Sequence, residues 1–333
     1  MSAADPRLRW FTYGRQRLGR SGRDPDAVLR DVIAVYSAHP TAPLSLLARC
    51  EPFDADAYRA MRVVRLPAMR GSIHLLAHET AHLAFRAVAR GDGGADDYSG
   101  LTSEEHDELR SALLAAATEP RTARELREAT GAQGPLAPVL NGLTRDGSLI
   151  RLGAHGLRSN ELFYVAGEVE DADADEALAW LAEQYLRAFG PARPQDFQWW
   201  AGVSADRARA ALERVDTESL DDGLLLRRAD AAAFERAAPV TGTVDLLPKW
   251  DCFTMGYPED GRGRFADPDI ADELYDPGGD ARPVVLIDGG AAGTWGVRPG
   301  GDLEFELSLY GDPGPAARAA LEARAAAMRA LLG

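Results

Sequence analysis

Lysine is nearly absent from this chain of 333 residues: Lys249 stands alone, and arginine carries the rest of the positive charge. Lysine chemistry such as a Schiff base with an abasic sugar is thereby confined to one position, where it needs a desolvated amine. Cysteine is almost as scarce, with Cys50 and Cys252 only. That excludes a disulfide framework and a zinc site built on cysteine. Long apolar runs are missing, so no segment is expected to span a bilayer as a helix. The first residues, Met1-Ser-Ala-Ala-Asp-Pro and then Arg7 and Arg9, lack an apolar signal core, and the expectation is a cytoplasmic protein. Positive charge is in the minority, 37 Lys and Arg against 52 Asp and Glu, for a formal net charge of −15. This argues against a partner held by global positive charge and leaves a local basic face as the route to any polyanion. Residues 1–30 are basic, with Arg7, Arg9, Arg15, Arg17, Arg20, Arg23 and Arg30 against Asp5, Asp24 and Asp26. Acid gathers at 168–176 and 267–280.

What is present reads as globular. A hydrophobic content of 46% and a charged content of 27% are ordinary, and the length suffices for two or three domains with real cores. Residues 25–38 carry apolar positions at helical spacing. A second helix is expected at 54–61, a strand at 73–76 and a helix at 78–90. The glycine- and aspartate-rich segment 91–100 reads as a linker. Next come helices at 104–118, from Thr122, which forms a capping box with Glu125, and at 135–145. A hairpin of 149–152 and 157–165 follows. Three helices and a two-stranded wing make a winged helix-turn-helix, whose third helix and wing face nucleic acid. A similar plan recurs, with helices at 175–189, 194–202 and 204–215 and a strand at 224–226. Past residue 240, strands at 284–287, 293–297 and 303–309 and an alanine-rich helix at 315–332 close the chain. The expected class is α+β, mainly helical, with tandem winged helix-turn-helix units and a small C-terminal β region. The units divide as 1–98, 99–168, 169–240 and 241–333.

Several segments carry candidate chemistry. In Tyr36-Ser37-Ala38-His39-Pro40, two polar groups interrupt an otherwise buried run. Pro40 disfavours a helical backbone at His39, and positions i and i+2 of an extended segment share a side. A hydroxyl and an imidazole at a helix end suit the holding of a water or a substrate. His78-Glu79-Thr80-Ala81-His82 fits the HExxH zinc pattern, in which two imidazoles four apart on a helix hold the metal and glutamate activates water. The ordinary alternative is an amphipathic helix with solvated histidines. Met69-Arg70-Gly71-Ser72 puts a guanidinium, a glycine and a hydroxyl at a strand start, suited to an anion such as phosphate. Arg151, Arg158, Ser159 and Asn160 fall on the wing. Lys249, Trp250, Asp251 and Tyr257 crowd into nine residues, either as a site or as a core strand turning at Pro248.

Together these segments resemble one family, the AlkZ/YcaQ-like winged-helix DNA glycosylases, which excise alkylated bases and unhook interstrand cross-links. The matching pieces are Ala42-Pro43 with Leu47-Ala48-Arg49, residues 69–75, Arg158-Ser159-Asn160 with Tyr164, and residues 188–192 with Asp196-Phe197 and Trp200. Further on they are Leu246-Leu247-Pro248 with Asp251 and Gly256-Tyr257, then Pro283-Val284-Val285-Leu286 with Gly289 and Gly293-Thr294-Trp295. The resemblance implies double-stranded DNA as partner, with alkylated or cross-linked bases, a monomer, and neither metal nor cofactor. The family's Gln-x-Gln or Gln-x-Asp pair before the Ala-Pro step is replaced here by Ser37 and His39. An imidazole titrates near neutrality and can orient or deprotonate a water. The resemblance therefore implies a bacterial, monofunctional glycosylase with Ser37 and His39 as the catalytic pair. Arg70, Ser72, Arg151, Arg158, Asn160, Lys249, Trp250, Asp251 and Tyr257 are its expected DNA contacts. A positive concave surface is expected from Arg70, the wing arginines and Lys249. The alternatives are a non-catalytic winged-helix regulator and a zinc hydrolase through His78, Glu79 and His82.

Overall fold

The computed structural model describes residues 5–19, 22, 24–38, 40–89, 100–153, 161–298 and 304–332. Helix α1 (Pro6–Arg15) opens them, with proline in its first turn and the Asp5 carboxylate accepting the Arg7 N–H at 2.9 Å, a strong N-terminal stop signal.

Three repeats of one order follow: helix, strand, two helices, two-stranded hairpin. The first is α2 (Pro25–Val32), β1 (Ala34–Tyr36), α3 (Thr41–Leu47), α4 (Ala55–Ala60), β2 (Val63–Pro67) and β3 (Ile73–Ala77). Helix α5 (Ala81–Val88) leads out of it. The second is α6 (Ser103–Ala116), β4 (Arg121–Thr122), α7 (Ala123–Thr130), α8 (Leu136–Arg145), β5 (Leu149–Leu152) and β6 (Phe163–Ala166). The third is α9 (Ala174–Phe189), α10 (Pro194–Ala201), α11 (Ala205–Leu212), β7 (Thr217–Ser219) and β8 (Leu225–Arg227). Its first strand is reduced to Ala192, which bridges Leu225. In each repeat the segment after the first helix lies against the last strand of the hairpin: β1 on β3, β4 on β6, Ala192 on β8.

The chain finishes with α12 (Ala231–Glu235), β9 (Val244–Leu247), α13 (Pro268–Ala271), β10 (Val284–Ile287), β11 (Gly290–Arg298), β12 (Glu304–Leu309) and α14 (Gly314–Leu332). The last four strands form an antiparallel sheet in the order β12-β11-β10-β9. Helix α14 buries Leu321, Ala325 and Met328 in a core shared with Leu44 and Leu47 of α3. The helix-rich class with a small C-terminal sheet is thus as expected.

Two expected elements are shorter than their hydrophobic spacing. The helix read over 25–38 stops at Val32, because Ile33 takes φ 73° and turns the chain into β1. The helix read over 78–90 begins only at Ala81, since residues 78–80 form the turn leaving β3. The first two repeats also share one six-stranded sheet, β1-β3-β2-β5-β6-β4, joined where Arg65 faces Arg151.

Helix α9 is the central support. It buries Ala177, Leu178, Leu181, Ala182, Tyr185, Leu186 and Phe189, an apolar stripe at helical spacing. Its C-terminal end stacks Tyr185 on Phe189 at 5.1 Å and packs it at a tilt against Trp200 of α10 at 4.9 Å. The Tyr257 hydroxyl donates to the Phe189 carbonyl at 2.6 Å. The third repeat and the loop after β9 are therefore packed as one body, which sets one wall of a cleft against the first repeat.

Candidate functional site

The cleft encloses about 700 Å³ and is lined by the end of β1 (Tyr36, Ser37, Ala38), the β2–β3 turn (Arg70, Ser72, Ile73), Trp199 of α10, and a C-terminal wall from Trp250, Met255, Glu259, Arg262 and 278–280. The volume lies within the range of small-ligand sites. Each wall is held by local chemistry.

Antiparallel pairing of β1 with β3 sets Tyr36 opposite His74, and the Ser37 N–H donates to the Ile73 carbonyl at 3.1 Å. The backbone of Ser37 is therefore fixed at the sheet end, opposite Ile73. The β2–β3 turn is tight: Ala68 donates to the Ser72 carbonyl and Gly71 to the Ala68 carbonyl, at 2.9 and 2.8 Å. Arg70 sits in it at φ 57°, a left-handed conformation unfavourable for a side-chain-bearing residue. Its guanidinium donates to the Tyr36 hydroxyl and covers the Trp199 ring at 4.1 Å, a cation–π contact. Gly202, at φ +74°, ends α10 against this turn, where an added Cβ would lie 2.9 Å from the Arg70 Cα. Only glycine allows so close an approach.

Trp250 on the far wall is also left-handed, at φ 59°. Two of the five non-glycine residues with positive φ among those described thus line this cleft, the kind of local strain that gathers at functional sites. Beneath Trp250, Asp251 and Arg49 form a two-pronged ion pair, both N–O distances 2.8 Å, with neither side chain exposed. Arg49 also donates to the carbonyls of Gln16 and Ser45 at 2.8 Å. The Thr41 hydroxyl donates to the Lys249 carbonyl at 2.9 Å. Helix α3, which starts two residues past His39, is thereby bound at both ends to the loop carrying Trp250.

His74 is fully buried under Tyr36, with ring centroids 4.5 Å apart. Burial is the main reason its pKa falls to about 4; the Arg70 charge adds to the fall, and the Ser72 carbonyl opposes it. Nδ1 lies 2.9 Å from that carbonyl, so the neutral ring carries its proton there. Burial also raises the Tyr36 hydroxyl, against the opposing charge of Arg70.

Ser37, Arg70, Ser72 and Trp250 thus meet in the cleft. His39, Arg158 and Asn160 lie outside the described residues. Several expected DNA contacts are placed elsewhere. Asp251 and Tyr257 are completely buried and bonded internally, so neither can touch a ligand in this conformation. Arg151 is 9% exposed, bonded to Thr144 and Asn141, and covers the Tyr164 ring. Lys249 does not supply a free charge: its amine lies 3.8 Å from Asp276, 3.9 Å from Asp280 and over the Trp250 ring. With its side chain 43% exposed, it is not the desolvated amine a Schiff base requires. The expected positive surface is likewise not realised in the cleft, where Arg70 and Arg262 are matched by Glu259 and Asp280.

The HExxH pattern does not form a zinc helix. His78 and Glu79 lie in the turn before α5, where Glu79 pairs with Arg30 at 3.3 Å, and only His82 is helical. Among the described residues, no group of three His, Cys, Asp or Glu is arranged to hold a metal. No helix among them is long and apolar enough to cross a membrane.

Tyr36, Trp199 and Arg262 were not singled out from sequence. Trp199-Trp200 did offer a signal: neighbours on an α-helix point about 100° apart. Trp200 fills the core at 6% exposure and its neighbour faces the cleft.

The family described as "DNA glycosylase AlkZ-like" matches residues 14–331. The solved structure of DNA glycosylase AlkZ of Streptomyces sahachiroi is similar over 99% of this chain and 98% of that one, with TM-score 0.76 and 20% sequence identity. No curated protein sequence matches.

Proposed function

Because the chain belongs to the AlkZ-like DNA glycosylase family, and so takes DNA as its substrate, we propose that it hydrolyses the N-glycosidic bond of an alkylated purine, singly or within an interstrand cross-link, in the cleft at Ser37. The three repeats are read as winged helix-turn-helix units within 1–98, 99–168 and 169–240, with 241–333 closing the site. The protein acts as a monomer. The observation that carries this reading is the convergence on one cleft of Ser37, two arginines and the rings of Tyr36, Trp199 and Trp250. Aromatic faces suit an unstacked base, and guanidinium groups suit the phosphates around it.

The chemistry follows from the leaving group. An N7-alkylated purine is cationic, and when its bond to C1′ breaks the electron pair leaves with the base, which departs neutral. Little general-acid help is needed. What remains is to hold a water on the other side of C1′ and take its proton as the new C–O bond forms. Ser37, fixed by its bond to Ile73, is assigned to hold that water, and His39, one residue beyond the cleft-lining Ala38, to accept the proton.

The test is release of base from duplex DNA carrying N7-alkylguanine. Wild type should release it, and His39→Ala should slow release by about 10²–10⁴-fold, the usual share of a general base. Ser37→Ala should cost less. Release unaffected by His39→Ala removes His39 from the mechanism. Binding without release in the wild type favours a non-catalytic DNA-binding protein.

A further inference from the structure

Arg262 is a charge of the cleft that the proposed chemistry leaves unused. It is 7% exposed, yet its side chain lines the cleft. Its guanidinium lies 3.3 Å from the centroid of the Tyr275 ring. Tyr275 is itself anchored, its hydroxyl donating to the Thr254 carbonyl at 2.6 Å. Among the described residues the Arg262 guanidinium makes no hydrogen bond or ion pair, and Nε is a buried donor without an acceptor. Arg65 and Arg264 also hold buried nitrogens without a partner, but neither lines the cleft; Arg49 is paired with Asp251, and Arg324 donates to the Ala48 carbonyl at 2.9 Å.

A guanidinium held rigid on an aromatic face, desolvated and without an acceptor, is an expensive arrangement that an incoming anion relieves. Its planar fork of donors matches the oxygens of a phosphate. Arg70 stands in the same cleft on Trp199 in the same manner. We propose that Arg262 binds a backbone phosphate of the DNA, and that Arg262 and Arg70, each laid on an aromatic ring, form the two arms of a phosphate clamp around the nucleotide in the cleft. Glu259 and Asp280, on the same lining, keep the unloaded cleft from being strongly positive. The clamp therefore grips only a phosphate brought within direct reach. This inference rests on the cleft being the DNA site.

The test is the salt dependence of binding to a lesion-free duplex between about 50 and 200 mM salt, where each phosphate contact adds about 0.9 to the slope of log K against log salt. Arg262→Gln should reduce the slope by about one unit and weaken binding equally across sequences. Arg262→Lys should keep the slope but bind several-fold more weakly, because an ammonium lacks the planar fork of donors. Should the Gln variant fail to fold, methylphosphonate substitution on the DNA decides with the wild type and the Lys variant. Neutralising one phosphate beside the target nucleotide should weaken the wild type several-fold and remove the difference between the two proteins. An unchanged slope in Arg262→Gln, or a difference between the two proteins that persists at every neutralised phosphate, overturns the clamp. A loss confined to lesion-bearing DNA assigns Arg262 to the base instead, and also overturns it. Base release by the wild type with an unchanged slope defeats this inference alone. A normal slope change without base release defeats the glycosylase reading alone.

Discussion

His74 shows how one buried residue couples the cleft to pH. Its pKa of about 4 in the fold lies below the value of 6.5 for a free imidazole. The unfolded chain therefore takes up the proton first as pH falls. The stabilisation is fully present above pH 6.5 and is lost progressively down to about pH 4, in total about 3 kcal/mol at most. Thermal or urea unfolding across this window should show a shallower dependence on pH for His74→Gln than for wild type. Equal slopes would mean that His74 is protonated in the fold without penalty. The loss in the wild type should be felt at the cleft, because the ring supports Tyr36, and Tyr36 accepts a hydrogen bond from Arg70.

Elements, not loops alone, hold the two walls in register. Helix α3 is fastened to the Trp250 loop by the Arg49–Asp251 pair, and Arg324 of α14 donates to the Ala48 carbonyl at its C-terminal end. Removing one partner of a buried pair strands the other charge, at a cost of about 3–5 kcal/mol. Asp251→Ala should therefore lower unfolding free energy by that amount in denaturant titration; a loss below about 1 kcal/mol would show that the pair fastens nothing. The junction of α10 with the β2–β3 turn is a gentler test. Gly202→Ala adds a Cβ 2.9 Å from the Arg70 Cα at a positive φ. It should cost about 1–2 kcal/mol. Its larger effect should be on DNA affinity, through displacement of Arg70. Unchanged affinity would detach Arg70 from binding.

The whole molecule faces a charge problem, with a net −15 on a protein whose partner is a polyanion. Binding must then be local and short-ranged. Two cleft arginines predict a salt slope of about −1.8 from the cleft alone, with any steeper value measuring contacts outside it. A slope near zero would be incompatible with phosphate contact. Among the described residues only Val297 is an exposed large hydrophobic, at 38%. The chain is proposed to act as a monomer. Light scattering should return the mass of one chain at micromolar concentration, and a concentration-dependent dimer would contradict it.

What the sequence determined by itself is what depends on near neighbours. Helices α6 to α11 were legible because apolar spacing, capping residues and turn glycines act within a few positions. Thr122 with Glu125 is one case, with both reciprocal bonds present in the structure. The family resemblance placed the pair Ser37 and His39, already marked by its local sequence, at the position of the family's catalytic pair. Tertiary structure decided whatever depends on a distant partner. The stretch 25–38 breaks into α2 and β1 because β1 finds its hydrogen bonds on β3, about forty residues away. Asp251 looked like a ligand contact and proved a buried counter-ion, because the charge that neutralises it, Arg49, stands 202 positions earlier. Arg262 drew no attention in sequence because nothing beside it there distinguishes it. Only the packing of Tyr275 under it and the cleft before it make it a site, since burial and the lack of an acceptor are properties of a folded neighbourhood rather than of a residue.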